Sequence, residues 1–252
     1  MNNDLTEQER LDFVMQLEIP DRFPFRAHYN STINKAEEGA EIAKSSVISF
    51  VSGLSTQNRE DVQNSTLLMQ LNSDKKFNPQ TQKEEWFKNY SDGLSKLGWG
   101  RVASTFQKYS PNNTNVTMDQ VILEIIATVV NPSSALYDIV ATTFNAMRSD
   151  SNKSALNLFD NSSTSNGSGS FQILPVAQDS DGNAIMVMTC INAKTIQQEG
   201  SFLFWHWVTS SSELYRAAQQ TVLNTQVYSR VRAAVLDKLG KSAEDFVEDL
   251  DI

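Results

Sequence analysis

The 252-residue chain holds one cysteine, Cys190, and two histidines, His28 and His206. A single thiol excludes an internal disulfide and any cysteine-rich metal site, and it fits a reducing compartment. Basic residues are outnumbered, 21 Lys and Arg against 30 Asp and Glu, for a formal charge of -9. Such a balance repels phosphate backbones unless a local basic patch reverses the field. The closest groupings, Lys75-Lys76 and Arg230 with Arg232, are too small and too mixed with acids to do so, which argues against nucleic acid as a partner.

No apolar run approaches the ~18 residues of a spanning helix, and the opening MNNDLTEQER lacks the basic start and apolar stretch of a secretory signal. The expected address is cytoplasmic, or exported by a route that needs no signal peptide. A Gly-rich phosphate loop, a nucleophile-elbow pentapeptide, an HExxH and a paired CxxC are all missing, so no local motif names an enzyme class, a metal or a cofactor.

What is present reads as a folded chain, with 40% hydrophobic and 20% charged residues. Residues 1–30 read as an N-terminal arm, in which Leu11, Val14, Met15 and Leu17 share a helical face ahead of the proline-bearing IPDRFPFRAHY, with Phe23, Phe25 and Tyr29 pinning it to the body. Residues 31–252 read as a single α+β domain. From Ile33 the apolar residues alternate at spacings of three and four through Ala36, Ala40, Ala43, Val47, Phe50 and Leu54, which predicts one long helix. Helices are also expected over 60–76 and 81–97, the latter ended by Gly98. A strand is expected in GRVASTFQKY, followed by a buried helical hairpin, VILEIIATVV and ALYDIVATTFNAM, joined through Asn131-Pro132.

Residues 160–170, DNSSTSNGSGS, read as a polar loop. FQILPVAQD and NAIMVMTCINA then form a hairpin turned by Asp179-Ser180-Asp181-Gly182, and SFLFWHWVT adds a third strand. Ser210 with Glu213 forms a capping box that predicts a helix through Val222. A last long helix covers 225–239, and the tail AEDFVEDLDI reads as a helical turn capped by Ser242. The expected fold is therefore helix-rich, with a small antiparallel sheet of about four strands packed against helices.

Few groups could carry chemistry. Cys190 and His206 fall on neighbouring expected strands, so a suitable register could pair thiol and imidazole as an acyl-transfer nucleophile. The alternative is a buried small hydrophobe and a packed sheet histidine. The run carrying Phe202, Phe204, Trp205 and Trp207 could meet a lipid interface or a ligand, or could simply fill a core. Asp179 to Asn183 looks like part of a calcium loop but lacks the distal glutamate, and the carboxylate clusters at Glu37, Glu38, Glu41 and Glu244 to Asp251 have no accompanying histidine.

The stretches YSRVRAAVLDKLGKSAEDFVEDLDI and WFKNYSDGLSKLGW, with the strand meander, resemble a family of small acidic bacterial and fungal proteins of uncharacterised function, over most of residues 60–252. In size, element order and a lone late cysteine, the chain also resembles the Erwinia virulence factor family, whose single functional cysteine carries a fatty acyl thioester and which associates with membranes. That resemblance implies Cys190 as the acyl-bearing position. The expectation is a non-enzymatic, virulence or toxin-like interaction protein that meets lipid or a partner surface. The alternatives are a Cys/His enzyme handling acyl groups and a self-assembling structural protein using the Ile33 to Leu54 stripe.

Overall fold

The computed structural model describes residues 5–20, 37–100, 106–111, 116–165, 167–195, 201–205, 212–240, 247–250 and 252; Phe23, Phe25, His28, Tyr29, His206, Trp207, Ser210 and Ser242 lie outside them. Its strands are β1 (Gly39–Ala43), β2 (Ser46–Phe50), β3 (Gln107–Tyr109), β4 (Thr164–Ser165), β5 (Ser168–Gln178), β6 (Ala184–Thr195), β7 (Ser212–Val222) and β8 (Val247–Leu250). Its helices are α1 (Glu7–Gln16), α2 (Thr56–Lys76), α3 (Lys83–Leu97), α4 (Met118–Ile126), α5 (Ala135–Met147), α6 (Lys153–Ser163) and α7 (Thr225–Leu239). The strands make one eight-stranded sheet in the order β3-β7-β6-β5-β2-β1-β8, with β4 paired to β5. Its β2–β5 pair is parallel, so the sheet is mixed.

The small antiparallel sheet of about four strands is thereby overturned, at three places. Residues 39–50 form the β1–β2 hairpin rather than the middle of a long helix. All ten strand residues are buried and, Glu41 apart, their side chains are apolar or small, so the polar alternation that marks a strand is absent. Without it, spacings of three and four arise by default. With Ala40, Ala43, Val47 and Phe50 inside the sheet, that part of the Ile33 to Leu54 stripe is not an exposed helical contact for self-assembly; Ile33 and Ala36 lie outside the described residues. Residues 212–222 form β7 rather than a capped helix, held by an eleven-residue ladder to β6 that overrides the helix preference of its Leu, Arg, Ala and Gln. Residues 247–250 pair with β1 as β8 rather than forming a helical turn.

Two helical layers cover the two faces. Side chains alternate across the sheet, so Ile48, Phe50, Leu174, Val176, Met186, Met188 and Cys190 join a core with α1, α2, α3 and α7. Ile42, Val47, Phe171, Ile173, Ile191 and Leu214 join a second core with α4, α5 and α6. The helices begin and end where local chemistry directs. Ser55 and Asn224 accept from backbone N–H groups at the starts of α2 and α7, and α3 stops at Gly98, whose φ of +112° is a left-handed conformation that a side chain would strain. The β5–β6 connection is the expected turn. Asp179 accepts from the backbone N–H groups of Asp181 at 2.9 Å and Asn183 at 2.8 Å, and these bonds hold its carboxyl below the ordinary range.

Candidate functional site

The α4–α5 layer is built from two caps. Thr117 and Gln120 close a capping box at the start of α4, and Ser134 accepts from the Tyr137 N–H at the start of α5. Met118, Val121, Ile122, Ile125 and Ile126 of α4, and Ile139, Val140, Phe144 and Met147 of α5, turn toward the sheet, as a buried hairpin requires. Polar links are sparse. The Ser49 and Thr143 hydroxyls meet at 2.9 Å between β2 and α5, and the Tyr109 hydroxyl of β3 donates to Glu124 at 3.3 Å. Arg148, just after α5, donates to the buried Asp119 at 2.6 Å and stacks 4.2 Å over the Phe204 ring, tying the two ends of the hairpin together.

Over its described residues, 201–205, the aromatic run is not the third strand that its composition suggests. Phe202–Phe204 is a single 3-10 turn whose rings plug the same core. Gly169 of β5 makes room for it, since a Cβ there would stand 2.6 to 2.9 Å from three carbons of the Phe202 ring. Phe159, Phe171, Phe202 and Trp205 then follow one another at centroid distances of 5.4, 5.6 and 4.7 Å. Asp160 of α6 pins the turn by accepting from the Ser201 hydroxyl at 3.0 Å and the Phe202 N–H at 3.3 Å. Burial raises the Asp160 carboxyl above its ordinary value, against these two bonds, which lower it. Sequence reasoning missed both α6 and this pin, and the nearest signal was the acid that opens the DNSSTSNGSGS stretch.

Cys190 lies on the opposite face, fully buried, with Gln172 of β5 and Ala217 of β7 as its neighbours across the ladders. Gln70 of α2 donates to Gln172 at 2.6 Å, to Ser45 at 2.9 Å and to Ser46 at 2.9 Å, so a polar network ties α2 to the sheet beside the thiol. Tyr90 of α3 is buried in the same core as Cys190. Burial pushes the Cys190 thiol and the Tyr90 phenol far upward, so both stay neutral at physiological pH. A neutral thiol is a poor nucleophile. Attaching an acyl group to Cys190 therefore requires this layer to lift, or the chain to be modified before it closes.

The remaining features are structural. Arg232 of α7 grips the buried Asp61 of α2 through two hydrogen bonds, at 2.7 and 2.6 Å, and the Trp99 indole donates to Ser65 at 3.0 Å. An open groove of about 300 Å³ runs along α3 between Phe13 and Phe77, with Lys88 already paired to Asp92. Among the described residues no group of three His, Cys, Asp or Glu side chains could hold a metal, and no helix is long and apolar enough to cross a membrane.

These layers define a class of architecture, a mixed sheet enclosed on both faces by helices. No protein-family model matches the chain, and no curated protein matches it. Among solved structures it is similar to a delta-endotoxin at 15% identity, over 81% of this chain and 89% of that one, with a TM-score of 0.41. It is also similar to the Evf virulence factor at 10% identity, over 81% and 82% of the two chains, with a TM-score of 0.36. Likeness at this level assigns neither a partner nor an activity.

Proposed function

We propose that the chain is a non-enzymatic protein of the toxin or virulence kind that acts at a lipid surface, and that the α4–α5 layer is the part that meets the lipid. The observation that carries this reading is the contrast between the two faces of the sheet. On the Cys190 face, the Gln70 network joins helix to sheet, and breaking it would strand buried polar groups at about 1 to 3 kcal/mol each. On the α4–α5 face the helices meet the sheet mainly through Val, Ile, Phe and Met side chains, with the Ser49–Thr143 hydroxyl pair as a buried polar link. Hydrocarbon is as apolar as that core, so moving these faces from sheet to lipid loses little hydrophobic free energy. The α4–α5 layer thus gives up fewer buried hydrogen bonds to the sheet on detaching than the Gln70 side does.

Helices of 9 and 13 residues are about 14 and 20 Å long, short of the ~30 Å hydrocarbon core, so the pair lies in the interface rather than across it. Phe204 and Trp205, packed against the same core, would be uncovered with it. A staple tests the reading. The Ser49 and Thr143 oxygens are 2.9 Å apart, so cysteines at both positions, in a Cys190→Ser background, place two sulfurs within reach of a bond between β2 and α5. Flotation with liposomes is expected for the wild type and for the reduced variant, and is expected to vanish when the staple is oxidised. Flotation that survives oxidation rejects the layer as the lipid contact. Loss of flotation in Cys190→Ser alone would assign the contact to an acylated Cys190 instead.

A further inference from the structure

We propose that the β6–β7 ladder carries a binding site for a tetrahedral oxyanion of the phosphate class, built on Arg216 and Thr189. The arginines supply the first observation. Arg10 and Arg59 donate to the backbone oxygens of Lys96 and Glu37, and Arg148, Arg230 and Arg232 meet the carboxylates of Asp119, Glu7 and Asp61. Among the described arginines, Arg216 is the one that gives no hydrogen bond or ion pair to an oxygen, and its guanidinium instead lies 5.6 Å from the centre of the Tyr109 ring. The residue is half-buried, and its Nε is shielded from solvent without a partner. A guanidinium so placed has lost water and gained no counter-charge, a costly arrangement that a bound anion relieves.

Thr189 supplies the second observation. β6 pairs with β7 so that Ile191 faces Arg216 and Thr189 faces Ala218. Thr189 and Arg216 are therefore diagonal neighbours on one face of the sheet, about 7 Å apart at the backbone. The Thr189 hydroxyl is fully buried and has no partner either. Ile191 and Leu214, the apolar residues beside them, offer nothing to a polar atom. Glu124 of α4 is turned to the Tyr109 hydroxyl, 3.3 Å away, and forms no ion pair with Arg216. Its charge opposes an anion here, so affinity must come from direct hydrogen bonds. The donor set selects the ligand. The Nε–H and one Nη–H of a guanidinium form a planar fork that takes two oxygens of one anion. A carboxylate spends both of its oxygens on that fork, whereas a tetrahedral oxyanion keeps others for the Thr189 hydroxyl one ladder step away. Free phosphate and a phospholipid headgroup share this chemistry.

The experiment is a calorimetric titration of the full chain with inorganic phosphate at constant ionic strength and neutral pH, with acetate as the planar control. Four proteins are compared: wild type, Arg216→Gln, Thr189→Val and Glu124→Gln. The wild type is expected to take one phosphate per chain, at least about tenfold more tightly than acetate. Arg216→Gln should weaken phosphate by at least about tenfold, and Thr189→Val by about tenfold, the loss of one hydrogen bond to a charged group. Glu124→Gln still accepts from Tyr109, and should tighten phosphate about threefold by removing a nearby like charge. The Val methyl replaces a hydroxyl that has no protein partner, so Thr189→Val should keep or raise the urea midpoint, and its weaker binding is not a loss of fold. A second arm separates the two sources, using flotation with vesicles of phosphatidylcholine alone and of phosphatidylcholine with about a tenth phosphatidic acid, whose headgroup is a phosphate monoester. Flotation that Arg216→Gln lowers only where phosphatidic acid is present assigns the site to a headgroup. Flotation that it leaves unchanged, beside weakened phosphate binding, assigns the site to a free oxyanion.

Phosphate that binds Arg216→Gln as tightly as the wild type overturns the site, as does a wild type that binds none. Acetate that binds as tightly as phosphate, or a Thr189→Val variant with unchanged affinity for phosphate, overturns the tetrahedral class of ligand. The lipid reading stands or falls with the Ser49–Thr143 staple and not with these titrations.

Discussion

At the scale of single residues, Gly169 and Phe202 show how a core position can be invisible in a sequence. Gly169→Ala forces a Cβ against three carbons of a buried ring that is itself wedged between Phe171 and Trp205, so the ring cannot swing aside. Overpacking of this kind costs about 1 to 3 kcal/mol, which urea denaturation of the variant should register. Asp160 gives a pH-dependent counterpart. Its folded pKa is raised by burial, so the native state binds this proton more tightly than the unfolded chain does. The resulting contribution to stability is fully present below the ordinary carboxylate pKa and is lost as pH rises through the raised value. Asp160→Asn keeps an acceptor for Ser201 and removes the titration. Its stability relative to wild type should therefore climb from about pH 4 to about pH 7, as denaturation at the two pH values would show. Cys190 was legible as a lone thiol, but its burial was not, because burial depends on α2 and α3 closing over β6.

At the scale of elements, the segments that sequence reasoning recovered are those with their own punctuation. The α3 helix has an aromatic and leucine stripe and ends at Gly98, and the α4 cap reads directly as Thr117 with Gln120, whereas α5 is capped by Ser134, two residues beyond the expected Asn131-Pro132 cap. The β5–β6 hairpin announces itself through Asp179 to Asn183. The segments that failed are those whose structure is decided by distant partners. The turn between β1 and β2 uses Lys44, at φ +56°, and Ser45, with no Asn-Gly or Asp-Gly to mark it. For β7, a plausible capping box outweighed a strand that only its pairing with β6 could justify. Between helices, the Asp61–Arg232 contact was equally out of sight, since 171 residues separate its partners. Arg232→Leu leaves a buried carboxylate without its counter-charge. The expected cost is about 3 kcal/mol, measurable as a lowered urea midpoint with an unchanged slope.

At the scale of the whole molecule, what was legible is the chain's character: acidic, without metal or nucleotide motifs, and rich in helices. The architecture was not, because a sheet assembled from strands at residues 39–50, 107–109, 164–222 and 247–250 has no local signature. The same discontinuity governs the order in which the fold can be made. The parallel β2–β5 pair joins residues more than a hundred positions apart, and α2 through α6 must be placed, on both faces, along that connection. β1 then waits for β8, its outer neighbour, which is synthesised some two hundred residues later. Contacts of such long range make folding slow. A nascent chain therefore holds an incomplete β1–β2 edge through most of its synthesis, when unpaired strand edges are most open to aggregation. The acidic VEDL strand that finally covers this edge is thus both the last piece of the sheet and its seal.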